Sequence, residues 1–283
     1  MKTLIVYSEV SGFAIQIKNH IFSALKELSV ETKECYIEQV SQASEAFQPT
    51  MHLFLHHGRK LYEHLDQIKQ LKGHKMLWTM EDPYESDVTF DMLPHFYYIF
   101  TSDENTSFAL KKAEPDHKIF FVPHACNPKV HKPMDITYEY RSDICFIGNA
   151  FPSRLKWFQE HAKEYKNKKV TIIGVGYRGL DGYQHQRIIH DHVHDPDAQR
   201  YINGATLVLN LHRQNEDLDM ANKRNIVASS FNNRYYETWA CGRPQLVIGR
   251  GNQFYWKEKY RTAHKFHSYK QRLVDYYIPL LNL

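Results

Sequence analysis

Several things are missing from this 283-residue chain, and each absence excludes a class of protein. No apolar run reaches the roughly 18 residues that a transmembrane helix needs, so no membrane span is expected. The N-terminal stretch turns polar at Ser8 and Glu9, and it reads as a strand, not as a signal peptide. Only four cysteines occur, Cys35, Cys126, Cys145 and Cys241, far apart and with no C-x-x-C pair. With no export signal they are expected to be free buried thiols in a reducing cytoplasm, and the chain reads as cytoplasmic. Charge of one sign is scarce: 36 basic against 32 acidic residues leave +4. That mild excess suits an anionic ligand as well as a nucleic acid and decides between neither. There is no G-x-G-x-x-G fingerprint, Walker loop, G-x-S-x-G elbow, H-E-x-x-H pair or zinc-deaminase signature. No short repeat or low-complexity segment is present.

What remains is an ordinary globular composition, 42% hydrophobic and 24% charged. It excludes a mainly disordered chain, a collagen and a disulfide-stapled miniprotein. Aromatic residues reach 14%, with 19 Tyr and 16 Phe, which predicts a core and cleft rich in rings. The length allows two domains of about 150 residues each.

Strand and helix patterns alternate along the chain. Strands are expected at Lys2–Tyr7, Glu34–Val40, Met51–His56, Lys75–Met80, Tyr97–Thr101 and Lys118–Val122. Between them lie helical periods at Phe13–Leu28, Leu61–Leu71 and Thr106–Lys112. The region from Cys126 to Ser142 lacks periodicity and reads as a linker. The alternation then restarts with strands at Asp143–Ile147, Lys169–Gly174, Thr206–Leu211 and Pro244–Ile248. Helices are expected at Ser153–Tyr165, with Ser153 as N-cap, and at Asp197–Ala205 and Asn233–Ala240. Strands that are apolar along their length and alternate with helices predict parallel sheets covered on both faces. The expected fold class is therefore α/β, with one Rossmann-like domain over residues 1–130 and a second over 140–283.

In such sheets ligands sit beyond the carboxyl ends of the strands. In the first half those ends carry Glu9, His57-Gly58, Glu81-Asp82, Ser102-Asp103 and His124. In the second half they carry Gly148-Asn149, Gly174 and Asn210-Leu211-His212-Arg213. A glycine at 148 before a helix start would let backbone amides approach a phosphate, with Arg154 in the first turn to pair with it. The alternative is a plain strand–helix turn with an exposed arginine. In Asn233-Arg234-Tyr235-Tyr236-Glu237, Arg234 and Glu237 share a helical face. A carboxylate there can accept both hydroxyls of a ribose and an arginine can hold a diphosphate, or the two form an ordinary surface ion pair. His190, His192 and His194 alternate and would share one face of a strand. The segment reads better as a solvated loop, and no metal site is assigned.

Several of these segments, taken together, resemble the CgeB-like (spore-maturation type) glycosyltransferases of the GT-B superfamily. Val122-Pro123-His124-Ala125-Cys126-Asn127-Pro128 is similar to their interdomain element. Asp143-Ile144-Cys145-Phe146-Ile147-Gly148-Asn149, followed by Arg154, looks like the start of their second domain. Leu209-Asn210-Leu211-His212-Arg213 and Asn233-Arg234-Tyr235-Tyr236-Glu237 through Ala240-Cys241-Gly242 are similar to two further motifs. Glu81-Asp82-Pro83-Tyr84 resembles a fifth. The matches run in family order from about residue 80 to 248.

The resemblance implies a GT-B fold of two Rossmann-like domains facing across a cleft, and sugar transfer from a nucleotide-sugar donor without a metal or other cofactor. It implies a donor site formed by Gly148, Asn149, Arg154, His212, Arg213, Asn233, Arg234 and Glu237, with Glu237 on the ribose and the arginines near the diphosphate. Asp82 and His57, with Glu81 beside them, are the candidate bases. Asp82 before Pro83 has a turn-capping alternative. The acceptor, whether glycan, protein or nucleic acid, is left open.

The chain departs from the resemblance in two places. It ends soon after Ser268–Tyr277, where an interdomain return helix is expected in such proteins. The polar run Gln214–Ser230 is long and reads as a mobile lid or acceptor loop. Three rival readings follow: a nucleotide-sugar hydrolase or epimerase, a non-enzymatic nucleotide- or partner-binding scaffold, and a DNA-modifying sugar transferase. The last finds a small basic cluster in Lys166, Lys168 and Lys169, which is also an ordinary solvated helix end.

Overall fold

The computed structural model describes residues 2–8, 12–55, 58–180, 186–215, 217, 221–250, 253–255 and 260–281. The chain divides into two compact units. The first comprises Met1–His124, Met220–Ser230 and Tyr269–Leu283, and the second Ala125–Asp219 and Phe231–Ser268.

The first unit is built on six parallel strands: β1 (Lys2–Tyr7), β2 (Glu31–Tyr36), β3 (Met51–Leu55), β4 (His74–Thr79), β5 (Tyr98–Thr101) and β6 (Lys118–Phe121). Their order is β2-β1-β3-β4-β5-β6. Leu4, Ile5 and Val6 of β1 are all buried, as are all five residues of β3. These runs are apolar because helices cover both faces of a parallel sheet. One core gathers Leu4, Val6, Phe54, Leu77 and Ile99 with Phe96 and Leu110.

Two expectations change in this unit. The strand expected at Glu34–Val40 is Glu31–Tyr36, and Val40–Phe47 is a helix instead. The helix expected over Leu61–Leu71 is two short helices, Lys60–Glu63 and Leu65–Gln70, interrupted at His64. Periodicity signals the buried face but does not reveal that interruption.

The second unit has β7 (Ser142–Ile147), β8 (Val170–Ile173), β9 (Gln186–Ile189), β10 (Ala205–Leu211), β11 (Gln245–Ile248) and β12 (Gln253–Tyr255). Their order is β12-β11-β10-β7-β8-β9. Five strands are parallel, and β12 runs antiparallel to β11 at the edge. Counted from β7, this is the order of a dinucleotide-binding sheet. The direction of winding reverses between β7 and β10. Right-handed crossovers that wind in opposite directions put the helix after β7 and the helix after β10 on opposite faces. Accordingly Leu209 and Leu211 pack with Phe146 and Phe158 of the β7 side, whereas Val247 packs with Tyr235, Tyr236 and Ala240.

Gly174 ends β8 with φ +147, and a methyl group built there would overlap the Gly148 carbonyl. The two strand ends are thus in backbone contact, held further by Gly148 N–H donating to the Ile173 carbonyl at 2.9 Å. Gly174→Ala is expected to cost about 3 kcal/mol of stability, because backbone cannot yield as a side-chain tip can. Urea unfolding measures it, and a change below about 0.5 kcal/mol, the range of an ordinary surface substitution, would contradict this packing.

The polar run Gln214–Ser230 differs from its expectation. Residues 221–230 belong to the first unit and are fastened there by two carboxylates. Asp103 caps its own helix (Glu104–Ala113) through Thr106 N–H at 3.0 Å. It also accepts Ser229 N–H at 2.7 Å and Ser230 N–H at 3.0 Å. Asp87 pairs with Arg224 at 3.1 Å and accepts Lys223 N–H. Polarity here serves internal bonds, so this part of the run is not a loose lid.

The C-terminal helices Tyr269–Arg272 and Ile278–Leu281 also belong to the first unit. Tyr277 bonds to Thr3 at 2.8 Å, and Arg272 donates to the Pro123 carbonyl at 3.1 Å. Short as the C-terminal stretch is, its helices thus lie with the first unit. The stretch 140–283 does not form one continuous unit.

Candidate functional site

The place where the second sheet reverses carries the densest chemistry of that unit. β7 ends in Gly148-Asn149 and leads through Phe151 into the helix Pro152–Glu160. Pro152 starts this helix well because its fixed φ and missing N–H cost nothing there. Its N-cap is Phe151, without a side-chain bond, and not Ser153 as expected. Ser153 lies inside the first turn, and its N–H and hydroxyl both donate to Asp217, at 3.1 and 2.8 Å.

Arg154 turns back from that helix over the strand ends. Its Nε donates to the Leu211 carbonyl at 3.0 Å and its Nη1 to the Asn149 carbonyl at 2.8 Å. The guanidinium also lies 5.4 Å from the Phe146 ring and 4.8 Å from the Phe151 ring. It therefore ties the end of β7 to the end of β10. A side chain at Gly148 would meet Arg154 Nη1 at 3.0 Å and Phe146 at 3.1 Å. Glycine at 148 makes room for this arginine. Its own amide is committed to the sheet, which corrects the expectation that it faces a phosphate.

Two more guanidiniums gather there. Arg213 lies 4.5 Å from the Phe151 ring, on which Arg154 also rests. Arg250 donates to the Gly249 carbonyl at 2.6 Å and reaches the Arg213 carbonyl at 3.5 Å. Beside Arg154 lies a cleft of about 260 Å³. Its walls are the ends of β10 (Leu211, His212) and β11 (Ile248, Gly249), the helix residues Ser153, Arg154 and Trp157, and Gln214. His212 is buried and held through its N–H to the Ile248 carbonyl at 3.0 Å. Gly249, with φ +88, admits no side chain without displacing the Gln214 amide.

On the other face, the helix Asn233–Ala240 starts beside the same strand end. Asn232 caps it by accepting Tyr235 N–H at 3.1 Å. Asn232 and Asn210 exchange amide bonds at 2.9 and 3.1 Å, and Gln245 donates to the Tyr235 carbonyl at 3.0 Å. Buried amides are costly unless satisfied, so this network fixes the helix start firmly on β10 and β11.

Arg234 pairs with Glu237 at 2.6 Å, and Asn233 donates to the other Glu237 oxygen at 2.7 Å. Glu237 is 7% exposed, so this is not the surface ion pair that the spacing alone allowed. The Arg234 guanidinium also acts on Cys145 of β7, whose thiol burial pushes up to about 12 while the arginine draws it down. All four cysteines are buried free thiols.

The expected donor residues thus fall into two groups flanking one strand end. Gly148, Asn149, Arg154, His212 and Arg213 form the first, and Asn233, Arg234 and Glu237 the second. Sequence reasoning named Asn210 at its strand end and Gln214 and Asp217 only as part of a polar run; it missed Trp157, Gly249 and Arg250, and the anchors Asn232 and Gln245. Of the missed residues only Asn232 carried a signal, as a cap-type residue before a helical run. His190, His192 and His194 lie after β9 in non-helical chain, with the His192 and His194 rings stacked at 6.4 Å.

The candidate bases differ in standing. His57 lies outside the described residues. Asp82, in the first unit, is buried and accepts hydroxyl bonds from Thr79, from Thr89 at 3.0 Å and from Thr101 at 2.7 Å. Those threonines come from β4, from the helix Ser86–Met92 and from β5. A carboxylate so enclosed works as a structural tie, which corrects its reading as an accessible base.

Residues 153–278 match the family model described as glycosyl transferase-like. The segment begins in the helix carrying Arg154 and includes His212, Arg213 and the whole second group, while Gly148 and Asn149 precede it. The chain is similar to CgeB. It is 26% identical to the spore protein CgeB of Bacillus subtilis (strain 168) over 208 residues, 72% of this chain and 65% of that relative. The match therefore spans just under two thirds of the relative's length. Among solved structures, a glycosyltransferase involved in avilamycin A biosynthesis aligns with a TM-score of 0.56 at 11% identity, over 88% of this chain and 79% of that one. The UDP-GlcNAc 2-epimerase of Neisseria meningitidis, solved with UDP-GlcNAc, aligns at 0.52 and 12% identity, over all of this chain and 92% of that one. At such identities the likeness concerns the fold, which is GT-B-like. Among the described residues no helix is long and apolar enough to cross a membrane.

Proposed function

We propose that this CgeB-like chain transfers a sugar from a nucleotide-sugar donor to an acceptor, with the donor's diphosphate received where the second sheet reverses. The observation that carries this reading is the gathering of guanidiniums at the ends of β7, β10 and β11: Arg154 lines a cleft of about 260 Å³ there, Arg213 lies over the Phe151 ring that Arg154 also meets, and Arg250 bonds the Gly249 and Arg213 carbonyls. Glu237, preset by Arg234 and Asn233 on the opposite side of the β10 end, is the group that accepts the ribose hydroxyls.

As the bond from the sugar to the diphosphate breaks, the sugar carbon gains oxocarbenium character and negative charge builds on the leaving phosphate. Fixed guanidiniums stabilise that charge more than they stabilise the ground state, which is the condition for catalysis. Arg154 is suited to this because carbonyls and two rings already hold it, so little reorganises during the reaction. In this scheme the arginines supply the positive charge, and the transfer needs no metal.

The test is calorimetric titration with UDP, GDP, ADP, CMP and dTDP, on the wild type and on Glu237→Ala. One nucleotide is expected to bind with a Kd on the order of 10 μM, and the variant to lose at least about tenfold, or 1.4 kcal/mol. Absence of binding to every nucleotide by the folded wild type would overturn the donor reading.

A further inference from the structure

Asp217 sits against the first turn of the helix Pro152–Glu160 in the second unit. Its carboxylate is 3% exposed. Oδ1 accepts Ser153 N–H at 3.1 Å, and Oδ2 accepts the Ser153 hydroxyl at 2.8 Å and Gln214 N–H at 2.8 Å. Ser153 belongs to the first turn of the nine-residue helix Pro152–Glu160, and both Ser153 and Gln214 line the cleft. An N-terminal turn presents N–H groups and partial positive charge, which favour an anion. Here an anion is already bound, and it belongs to the chain itself. Arg154 follows Ser153 directly and is turned to the same strand ends.

We propose that Asp217 is a built-in competitor for the donor's diphosphate: it holds the anion position in the empty protein and is displaced when an oxyanion enters. The inference deepens the donor reading and rests on it for the identity of the oxyanion. A carboxylate presents two oxygens in a plane and matches part of a phosphate's acceptor set, so the same donors serve either group. While Asp217 stays, its charge repels a diphosphate. When it leaves, Ser153 N–H, the Ser153 hydroxyl and Gln214 N–H are released to the ligand. Weakly charged or neutral ligands do not meet this competition, so Asp217 biases the site toward ligands with enough negative charge to replace it. A carboxylate that merely capped the helix would add stability and leave oxyanion affinity untouched.

The test uses the full chain with Asp217→Ala and Asp217→Asn, of which the second keeps an acceptor for the Ser153 hydroxyl and so preserves the turn. Inorganic pyrophosphate, UDP and uridine are titrated by calorimetry, and hydrogen exchange follows the Ser153 amide. The expected result is a pyrophosphate affinity at least about tenfold tighter in the variants, with uridine unchanged. The Ser153 amide is expected to exchange faster in Asp217→Ala and to regain protection when pyrophosphate is added. Unchanged or weaker pyrophosphate binding in the folded variants overturns the proposal. Should UDP bind the wild type while pyrophosphate gains nothing, only the role of Asp217 falls. Should the variants gain pyrophosphate while no nucleotide binds any form, the donor reading falls and Asp217 keeps its role.

Discussion

Replacing Arg154 by alanine is expected to weaken nucleoside diphosphate binding on the order of 100-fold, about 2.7 kcal/mol. The size follows from what the side chain does. A charge-assisted contact from a guanidinium to a phosphate is worth roughly twice a neutral hydrogen bond, and its planar fork can engage two oxygens at once. The same substitution removes the bonds to the Leu211 and Asn149 carbonyls and the contacts with Phe146 and Phe151. It therefore loosens the junction between the ends of β7 and β10, which is expected to lower stability by about 1–2 kcal/mol. Arg154→Lys restores charge but not the fork, and it is expected to recover only a minor part of the affinity. Calorimetry with UDP and the other nucleotides, beside thermal unfolding, separates the two effects. A folded Arg154→Ala protein that binds within about threefold of the wild type would remove Arg154 from the donor site.

Replacing Asp82 by alanine is expected to cost about 3–5 kcal/mol of folding free energy, the largest stability effect predicted for a single side chain here. Asp82 gathers Thr79, Thr89 and Thr101, and all three threonines are fully buried. Without the carboxylate each hydroxyl loses an acceptor where water cannot replace it. Asp82→Asn retains one acceptor oxygen but introduces an amide facing hydroxyl donors, so an intermediate loss of about 2 kcal/mol is expected. A base would behave differently: its replacement would abolish turnover and leave stability nearly unchanged. Denaturant unfolding of both variants, with turnover measured once a donor is known, tells these apart. A stable and inactive Asp82→Asn protein would restore the catalytic reading.

The limits of the sequence are visible at particular residues. Gly148 and Arg154 were legible as a pair near a strand end, but the sequence suggested that the glycine serves a phosphate. Only the folded chain brings Arg154 back over Gly148, and that approach explains the glycine better. Arg234 and Glu237 were legible as helical neighbours, since their spacing places them on one face. Whether the pair is a weak surface bridge or a buried, preset carboxylate depends on burial, which spacing does not encode. Asp217 was legible only as part of the polar run Gln214–Ser230. It lies 64 residues from the Ser153 groups it bonds, and no local pattern links them.

The sequence by itself determined the alternation of strands and helices, the parallel character of both sheets and the family likeness. These rest on local periodicity and on short motifs, which the order of residues carries directly. The tertiary structure alone decided the rest. It assigned residues 221–230 and the terminal helices to the first unit, enclosed Asp82 among threonines, and set three arginines and Asp217 around the reversal of the second sheet. Each of these depends on contacts between residues distant in the chain. Such contacts form only when strand order and crossover direction are set, and those are properties of the packed whole.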